Sequence, residues 1–531
     1  MNTGPITYKW FGLGDINGFF GLMFDNMANL SFLAGTLVIG FGFPADIIYT
    51  RMFPGTTFGV LIGDLVYTWM AFRLAKKTGS TEVTAMPLGL DTPSTIGIAL
   101  TVLGPAFVAM KQDGHSAENA ALMAWYIGMA TMVMIGILKV VMSFCGSWIQ
   151  RVVPRAGLLG SIAGVGLALI GFIPLVDIFA MPVVGMLSLG LILYTLIARI
   201  NLPKNIPGIL TAIVAGTALY HLYYLVGFGG ASYVPPNLEL HPGLPSPTLD
   251  FITGIVPALK YLPIAIPFAI LTIVGGINVT ESARVAGDDY DTRQILMTEA
   301  VCTLIAGVCG GVAQSCPYIG HPAYKRMGAR AGYTLMTGVF IGLGGMLGYV
   351  SFIVELIPRA VIAPILVFIA LEITSQAFLH CPARHTYAVV FAILPTVARL
   401  LSIQYERPDI VPVGHLQHLI TQSGHGLPEI LVTIALGNGF ILTGMLWGAF
   451  LAEMIDRRLK VCSLYLVVLA ALSFFGIVHS SALDANVYFP WLLTAFHRDI
   501  PYQFTQSYLL LAAMVFVLSF TVKNAEPAPP G

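Results

Sequence analysis

Two short stretches, Asp91-Thr92-Pro93 and Gly320-His321-Pro322, put a hydroxyl or titratable side chain directly before proline, inside runs apolar enough to lie in a membrane. Proline is favoured at the first helical position and Thr is a good N-cap, so Thr92-Pro93 marks a helix beginning after an extended stretch. His321-Pro322 repeats that grammar with a weaker cap. A helix that starts inside hydrocarbon leaves backbone N–H groups unpartnered, which is tolerated only where the break faces protein or a solvated cavity. Two such starts facing each other would form a polar pocket with the positive ends of both helix dipoles aimed at its centre. A plain proline kink is the alternative for either one alone. Their occurrence in equivalent places of two half-chains favours broken helices.

The polar groups beside these breaks are the candidates for binding and coupling: Gly89, Asp91 and Thr92 in the first; Asn278, Thr280 and Glu281 on a nearby apolar run; and Tyr318 and His321 in the second. Burying an ionisable group in a membrane costs several kcal/mol unless something compensates, so each is a functional candidate. Each also has a structural reading. Asp91 either supports the cap of the following helix or contacts solute or proton. Glu281 and Arg284 are three apart on one helical face and read as an ion pair or as part of coupling. His321 suits a fixed hydrogen bond or proton exchange, and Tyr318 suits packing or stacking against a planar solute. Asp46, Asp64 and Lys139 read as structural.

The elements that must position these groups are membrane helices. Of 531 residues, 56% are hydrophobic and 10% charged, with mean hydropathy +0.83, whereas a soluble domain carries roughly 25% charged residues. Basic and acidic residues balance at 26 each, which gives no global field for nucleic acid. About sixteen apolar segments of near-spanning length follow one another from residue 28 to residue 522. Lys76, Lys77, Arg151, Arg293, Arg326 and Arg457 gather on the side of the N-terminus, whereas Arg51, Lys111, Arg359 and Arg399 fall opposite; this bias predicts cytoplasmic termini and an even span count. Residues 1–25 read as an interfacial segment without signal-peptide features. Loops 228–258, 403–428 and 480–505 are then external. The six cysteines lie in or beside apolar runs and read as packing residues, so no disulfide, metal or cofactor is expected.

The two halves echo each other, as inverted repeats do. Pro154-Arg155-Ala156 opens a run matched by Pro358-Arg359-Ala360, with the two arginines on opposite sides, and AMPLGLDTPSTIG (85–97) is matched by SCPYIGHPAYKRMG (315–328).

CPYIGHPAYKRMGARAGYTLMTG (316–338), LTIVGGINVTESARVAGDD (271–289) and MPLGLDTPS (86–94) resemble the tenth, eighth and third spans of the nucleobase transporter family of xanthine, uracil and ascorbate permeases, in its adenine/guanine/hypoxanthine permease branch. The resemblance covers roughly residues 25–455. It implies an all-α polytopic fold of seven plus seven spans in inverted repeats, divided into core and gate domains, here with about two additional C-terminal spans. The repeats would occupy 26–227 and 259–455, and the additional spans and tail 456–531. The family's usual acidic residues on the eighth and tenth spans fall at Gly275 or Gly276 and at Gly320, which carry no side chain to bond a base.

The expected function is secondary active transport: a proton- or sodium-coupled permease for a nucleobase or similar planar heterocycle, working by elevator-like movement. The alternative is an anion transporter of the sulfate or bicarbonate kind with the same architecture, since positive helix ends with little opposing charge favour anions. The solute site would comprise Gly89, Asp91, Thr92, Gly275, Gly276, Asn278, Tyr318, Gly320 and His321, with Asp91, Glu281 and His321 coupling. Expected partners are the small-molecule solute, the coupling cation and the bilayer, with a homodimer as the expected assembly; the expected location is the cell membrane, the inner membrane of a bacterium. Gly12-Leu13-Gly14-Asp15 spells the GxGD string of intramembrane aspartyl proteases but precedes the first apolar run and has no partner aspartate. No HExxH, GxSxG or P-loop string is present, so hydrolytic enzyme chemistry and ATP drive are not expected.

Overall fold

In the computed structural model, residues 8–144, 153–200, 202–203, 206–228, 239–318, 320–405, 410–411, 413–420, 427–482, 487–493 and 495–521 are described. They form an all-α polytopic membrane protein with one small β ribbon. Two compact units divide the chain, one drawn from 1–146, 173–258 and 268–368, the other from 147–172, 259–267 and 369–531. Each unit takes segments from both sequence repeats.

The first unit carries the ribbon. Its elements include α1 (Leu13–Gly35), α2 (Phe53–Thr78), β1 (Leu88–Leu90), α3 (Thr92–Ile98), α4 (Ala117–Ser143), the C-terminal part of α5 (Leu262–Val285), α6 (Thr292–Val308), β2 (Ser315–Pro317), α7 (His321–Arg326) and α8 (Gly332–Leu347). α3 runs on through a π turn at Ala99–Leu103 into Gly104–Gln112, which gives a 21-residue span. α2 packs along α6 and α8, α4 along α6, and α1 along α8. Lipid supplies no hydrophobic drive between helices, so close backbone approach has to do that work. At Gly338 a Cβ would come within 2.7 Å of the Asp64 Cβ, so α8 rests on α2 where glycine allows it.

In the second unit, helices Arg155–Gly164, Thr386–Tyr405 and Phe440–Ile455 pack on one another, and Leu459–Phe474 packs along Ala495–Leu518. Pro154 directly precedes the helix at Arg155, and Pro358 that at Arg359, so the sequence echo corresponds to matching helix starts.

Among the described residues, ten helices are long and apolar enough to cross a membrane, or twelve if two sharply bent pairs each count as one span. About sixteen apolar runs were expected. Three of the four surplus runs fall on short helices, Pro182–Ile197, Leu459–Phe474 and the 17-residue Thr292–Val308, and the fourth, 315–330, holds a three-residue strand and a six-residue helix in place of a span. The first helix begins at Leu13, inside the stretch read as interfacial.

Candidate functional site

β1 and β2 pair antiparallel, Leu88 with Pro317, Gly89 with Cys316 and Leu90 with Ser315. Tyr318 N–H donating to Pro87 C=O (2.8 Å) and Asp91 N–H donating to Gln314 C=O (2.9 Å) extend the ladder by one residue at each end. The extended stretches before Thr92 and before His321 are therefore paired with each other. A lone two-stranded ribbon is marginal even in water, and within a membrane its free edges would be costly. Here they are met by side chains. Asn26 Oδ1 accepts from Leu90 N–H at 2.9 Å, Lys139 Nζ donates to Ser315 C=O at 3.2 Å, and Pro317 has no N–H to orphan.

Lys139, fully buried on α4, pairs with Glu299 on α6 at 2.5 Å and also reaches Gln314 Oε1 (3.1 Å) and Thr303 Oγ1 (3.2 Å). This ammonium ties α4, α6 and the start of β2 together.

Side chains alternate across a ribbon. One face bears Leu88, which packs against Gly63 of α2, and Pro317, which lies near Gly276 of α5. The other bears Gly89, Asp91, Cys316 and Tyr318, with Asp25 and Asn26 of α1 over it: a Cβ at Gly89 would lie 3.5 Å from Asp25 Oδ2 and 3.4 Å from Asn26 Nδ2. Cys316 donates to Asp91 Oδ1 at 3.4 Å. Cys316 and Tyr318 are half-buried in an otherwise buried segment.

The two helix starts differ more than their sequences suggest. Asp91, not Thr92, is the N-cap of α3: its Oδ2 accepts from Ser94 N–H at 2.9 Å. Thr92 is the first helical residue and its Oγ1 accepts from Asn29 Nδ2 at 3.1 Å. His321 is likewise the first residue of α7 and caps nothing. Its ring is buried, with Nε2 3.2 Å from both Asp288 Oδ2 and Thr84 C=O. Asp288 also holds Lys325 Nζ at 2.7 Å and accepts from Thr84 N–H at 3.1 Å, while Tyr290 OH donates to Thr84 C=O at 2.7 Å. Burial opposes ionisation of Asp288, but the bonds from His321 and Lys325 outweigh it and hold the carboxyl below its ordinary range. α7 has only six residues, so its dipole is a fraction of that of the 21-residue α3 span, and the expected symmetry of two facing dipoles does not hold.

Gly89, Asp91, Thr92 and Tyr318 thus gather around the polar face of the ribbon. Gly276 lies on the other side, where a Cβ would meet Glu299 Oε2 at 3.1 Å, and Gly275 faces open space. Gly320 is packed by the rings of Tyr318 and Tyr324. Glu281 stands apart, exposed and paired with Arg284 at 2.6 Å. The side chain of Asn278 lies outside the described residues. Sequence reading passed over Asp25, Asn26 and Asn29, which put an acid and two amides on α1 against the ribbon, and Glu299, the partner of Lys139. The signal was present: Phe24-Asp25-Asn26-Met27-Ala28-Asn29 sets three polar groups in an apolar helix.

No family model matches the chain, and no curated protein sequence matches it. Solved structures do. The transmembrane domain of a cyanobacterium bicarbonate transporter, BicA, matches with TM-score 0.50 and 17% identity over 74% of this chain and 96% of that one. The structure of SLC26A9 matches with TM-score 0.50 and 13% identity over 76% of this chain and 63% of that one. The fold is that of these inverted-repeat membrane proteins. Nothing in these matches singles out the nucleobase permeases that the sequence motifs resemble.

Proposed function

We propose that this protein is a cation-coupled secondary transporter whose solute, a small oxyanion of the bicarbonate or sulfate kind, binds on the polar face of the β1–β2 ribbon beside the start of α3. The carrying observation is the ribbon itself: two broken segments held edge to edge within the membrane, on a fold shared with a bicarbonate transporter. Irregular backbone at membrane depth is tolerated where it lines a solute cavity. The glycines at position 275 or 276 and at position 320, where the resembling permeases carry base-binding acids, favour a solute that needs no such acceptors.

Asp25, Asp91 and half-buried Tyr318 favour a second reading, a planar heterocycle that donates to the carboxylates and stacks on the ring. Thermal-shift and uptake measurements with bicarbonate, sulfate, purines and pyrimidines, each at two pH values, separate the readings. Stabilisation and uptake by an oxyanion are expected. A response to bases alone overturns the proposal in favour of the heterocycle.

The positive-inside pattern supports cytoplasmic termini in this reading. Cysteine substitutions at positions 8 and 521, labelled from either side of the membrane, test it.

A further inference from the structure

Four cations stand without an acid where α2 ends and the chain enters α1: Arg73, Lys76 and Lys77 on the last turns of α2, and Lys9 on the segment before α1. All four are exposed, and none makes an ion pair or a side-chain hydrogen bond among the described residues. Other cations of this unit are spent: Arg284 on Glu281 and Asp289, Lys325 on Asp288, and Arg330 on Glu82. The acids nearest in sequence are committed too, Glu82 to Arg330 and buried Asp15 to backbone N–H groups.

Aromatic rings hold the two elements together. The Tyr8 ring meets Phe72 edge-on at 5.2 Å, Trp10 lies 6.3 Å from Phe72, and the Arg73 guanidinium sits over Trp69 at 5.5 Å. Trp69 is 55% exposed and Trp10 42%. Leu65, Trp69, Phe72 and Lys76 follow one another at helical spacing and are all exposed, so this face of α2 passes from apolar through aromatic to basic within about three turns. Lysines in a last turn suit the negative end of the helix dipole, and inner ends of membrane helices collect cations in general. Those effects account for Lys76 and Lys77, but not for a second element that lays a further lysine and indole on the same end.

That second element is fastened by bonds of its own. Tyr8 OH donates to Val83 C=O at 2.6 Å, and Trp10 C=O accepts from the N–H groups of Ala331 (3.0 Å) and Gly332 (2.8 Å). Asp15 Oδ1 accepts from Arg330 N–H (2.8 Å) and Tyr333 N–H (3.0 Å). Segment 8–15 therefore joins the cation cluster to the chain entering β1 and to the start of α8.

We infer that Lys9, Arg73, Lys76 and Lys77, with the rings of Trp10, Trp69 and Phe72, form a headgroup site for an acidic phospholipid in the leaflet on the side of the N-terminus. The cations meet the phosphate and the acidic charge, and the exposed rings take the boundary between headgroup and acyl chain. A soluble phosphate has a use for the cations alone; the exposed apolar rings in the same patch select the lipid. A lipid held there ties the N-terminal segment to α2 and so stabilises the protein, whatever the solute.

The test adds dioleoyl phosphatidylglycerol, dioleoyl phosphatidylcholine or inorganic phosphate to the detergent-purified full chain and follows the melting temperature. A saturable rise with phosphatidylglycerol alone is expected. Each cation beside an acidic headgroup changes affinity roughly fivefold, so Lys76→Gln/Lys77→Gln should raise the half-saturating concentration by more than about tenfold. Trp10→Ala should raise it as well, while the bonds to the carbonyl of residue 10 survive. Arg293→Gln/Arg326→Gln removes the same charge from exposed positions of the same unit and should respond as wild type. An equal loss in that control overturns the site, because it reduces the effect to general attraction between a basic face and acidic lipid. An equal rise with phosphatidylcholine, or an undiminished response in Lys76→Gln/Lys77→Gln, overturns it too. A rise with inorganic phosphate matching that with phosphatidylglycerol overturns it in favour of a soluble ligand. The comparison of the three additives on wild type stands without any variant.

Discussion

Removing the Lys139 ammonium should be among the most damaging single changes in the protein. At 2.5 Å from Glu299, the pair gains about 7 kcal/mol of Coulomb energy at an effective dielectric constant near 20, offset by desolvation of two fully buried ions. Lys139→Met keeps the packing volume but leaves Glu299 charged and uncompensated and the Ser315 carbonyl without its donor. A cost of about 3–5 kcal/mol is expected. Glu299→Gln should cost less, because Lys139 keeps three neutral acceptors in Gln314, Thr303 and Ser315. The double variant Lys139→Met/Glu299→Leu removes both charges together and should recover most of the loss. It should still fall about 1–3 kcal/mol short of wild type, since the ribbon carbonyl stays orphaned. The assay is denaturant unfolding of detergent-purified protein, arranged as a double-mutant cycle. A Lys139→Met cost below about 1 kcal/mol, or a double variant no more stable than the single, would refute the claim that this pair braces the ribbon.

Asp91→Asn should fold like wild type, because Asn caps as well as Asp, whereas Asp91→Ala should lose about 1 kcal/mol; transport lost in the Asn variant would assign the charge to function, and wild-type transport would leave Asp91 as a cap only. Gly97→Ala should destabilise by about 1–3 kcal/mol, read from the unfolding midpoint, because its methyl would enter the Phe268 ring; a neutral effect would mean that the ring moves aside. Asp288 has a depressed pKa, so its contribution is full above the ordinary carboxylate range and is lost as pH falls through the lowered value; the melting temperature should decline below about pH 5 in wild type, and less steeply in Asp288→Asn. His321→Ala should lower the unfolding midpoint, because Asp288 and Thr84 C=O lose the buried ring that lies between them; transport lost in a variant as stable as wild type would instead assign His321 to coupling.

Local sequence grammar disclosed where the chain breaks, because proline and its preceding residue act through backbone geometry that any environment preserves. Thr92-Pro93 and His321-Pro322 do open helices. What each residue does there depended on register, which the sequence left open by one position: the cap is Asp91, and His321 lies inside the helix with its ring turned to Asp288 and Thr84. The pairing of 88–90 with 315–317 was not readable, because three-residue strands lack a period long enough to detect and join positions more than two hundred residues apart. Hydropathy likewise could not separate 315–330 from a span, since burial in protein and burial in lipid select the same apolar residues.

The sites that sequence reading passed over share a cause. Asp25, Asn29 and Glu299 stand in apolar runs, where a polar residue is ambiguous between a fault tolerated and a partner elsewhere. Their meaning lies in pairing across helices: Lys139 finds Glu299 and the ribbon edge, and its charge is closed. The Asp25 carboxyl finds no hydrogen-bond partner among the described residues. Glu299 is neutralised by a lysine, whereas the buried carboxyls of Asp25 and Asp64 have no hydrogen-bond partner among the described residues. An ionisable group so placed costs several kcal/mol unless something compensates, so these two acids, and not the Lys139–Glu299 pair, are where a role beyond packing is to be sought.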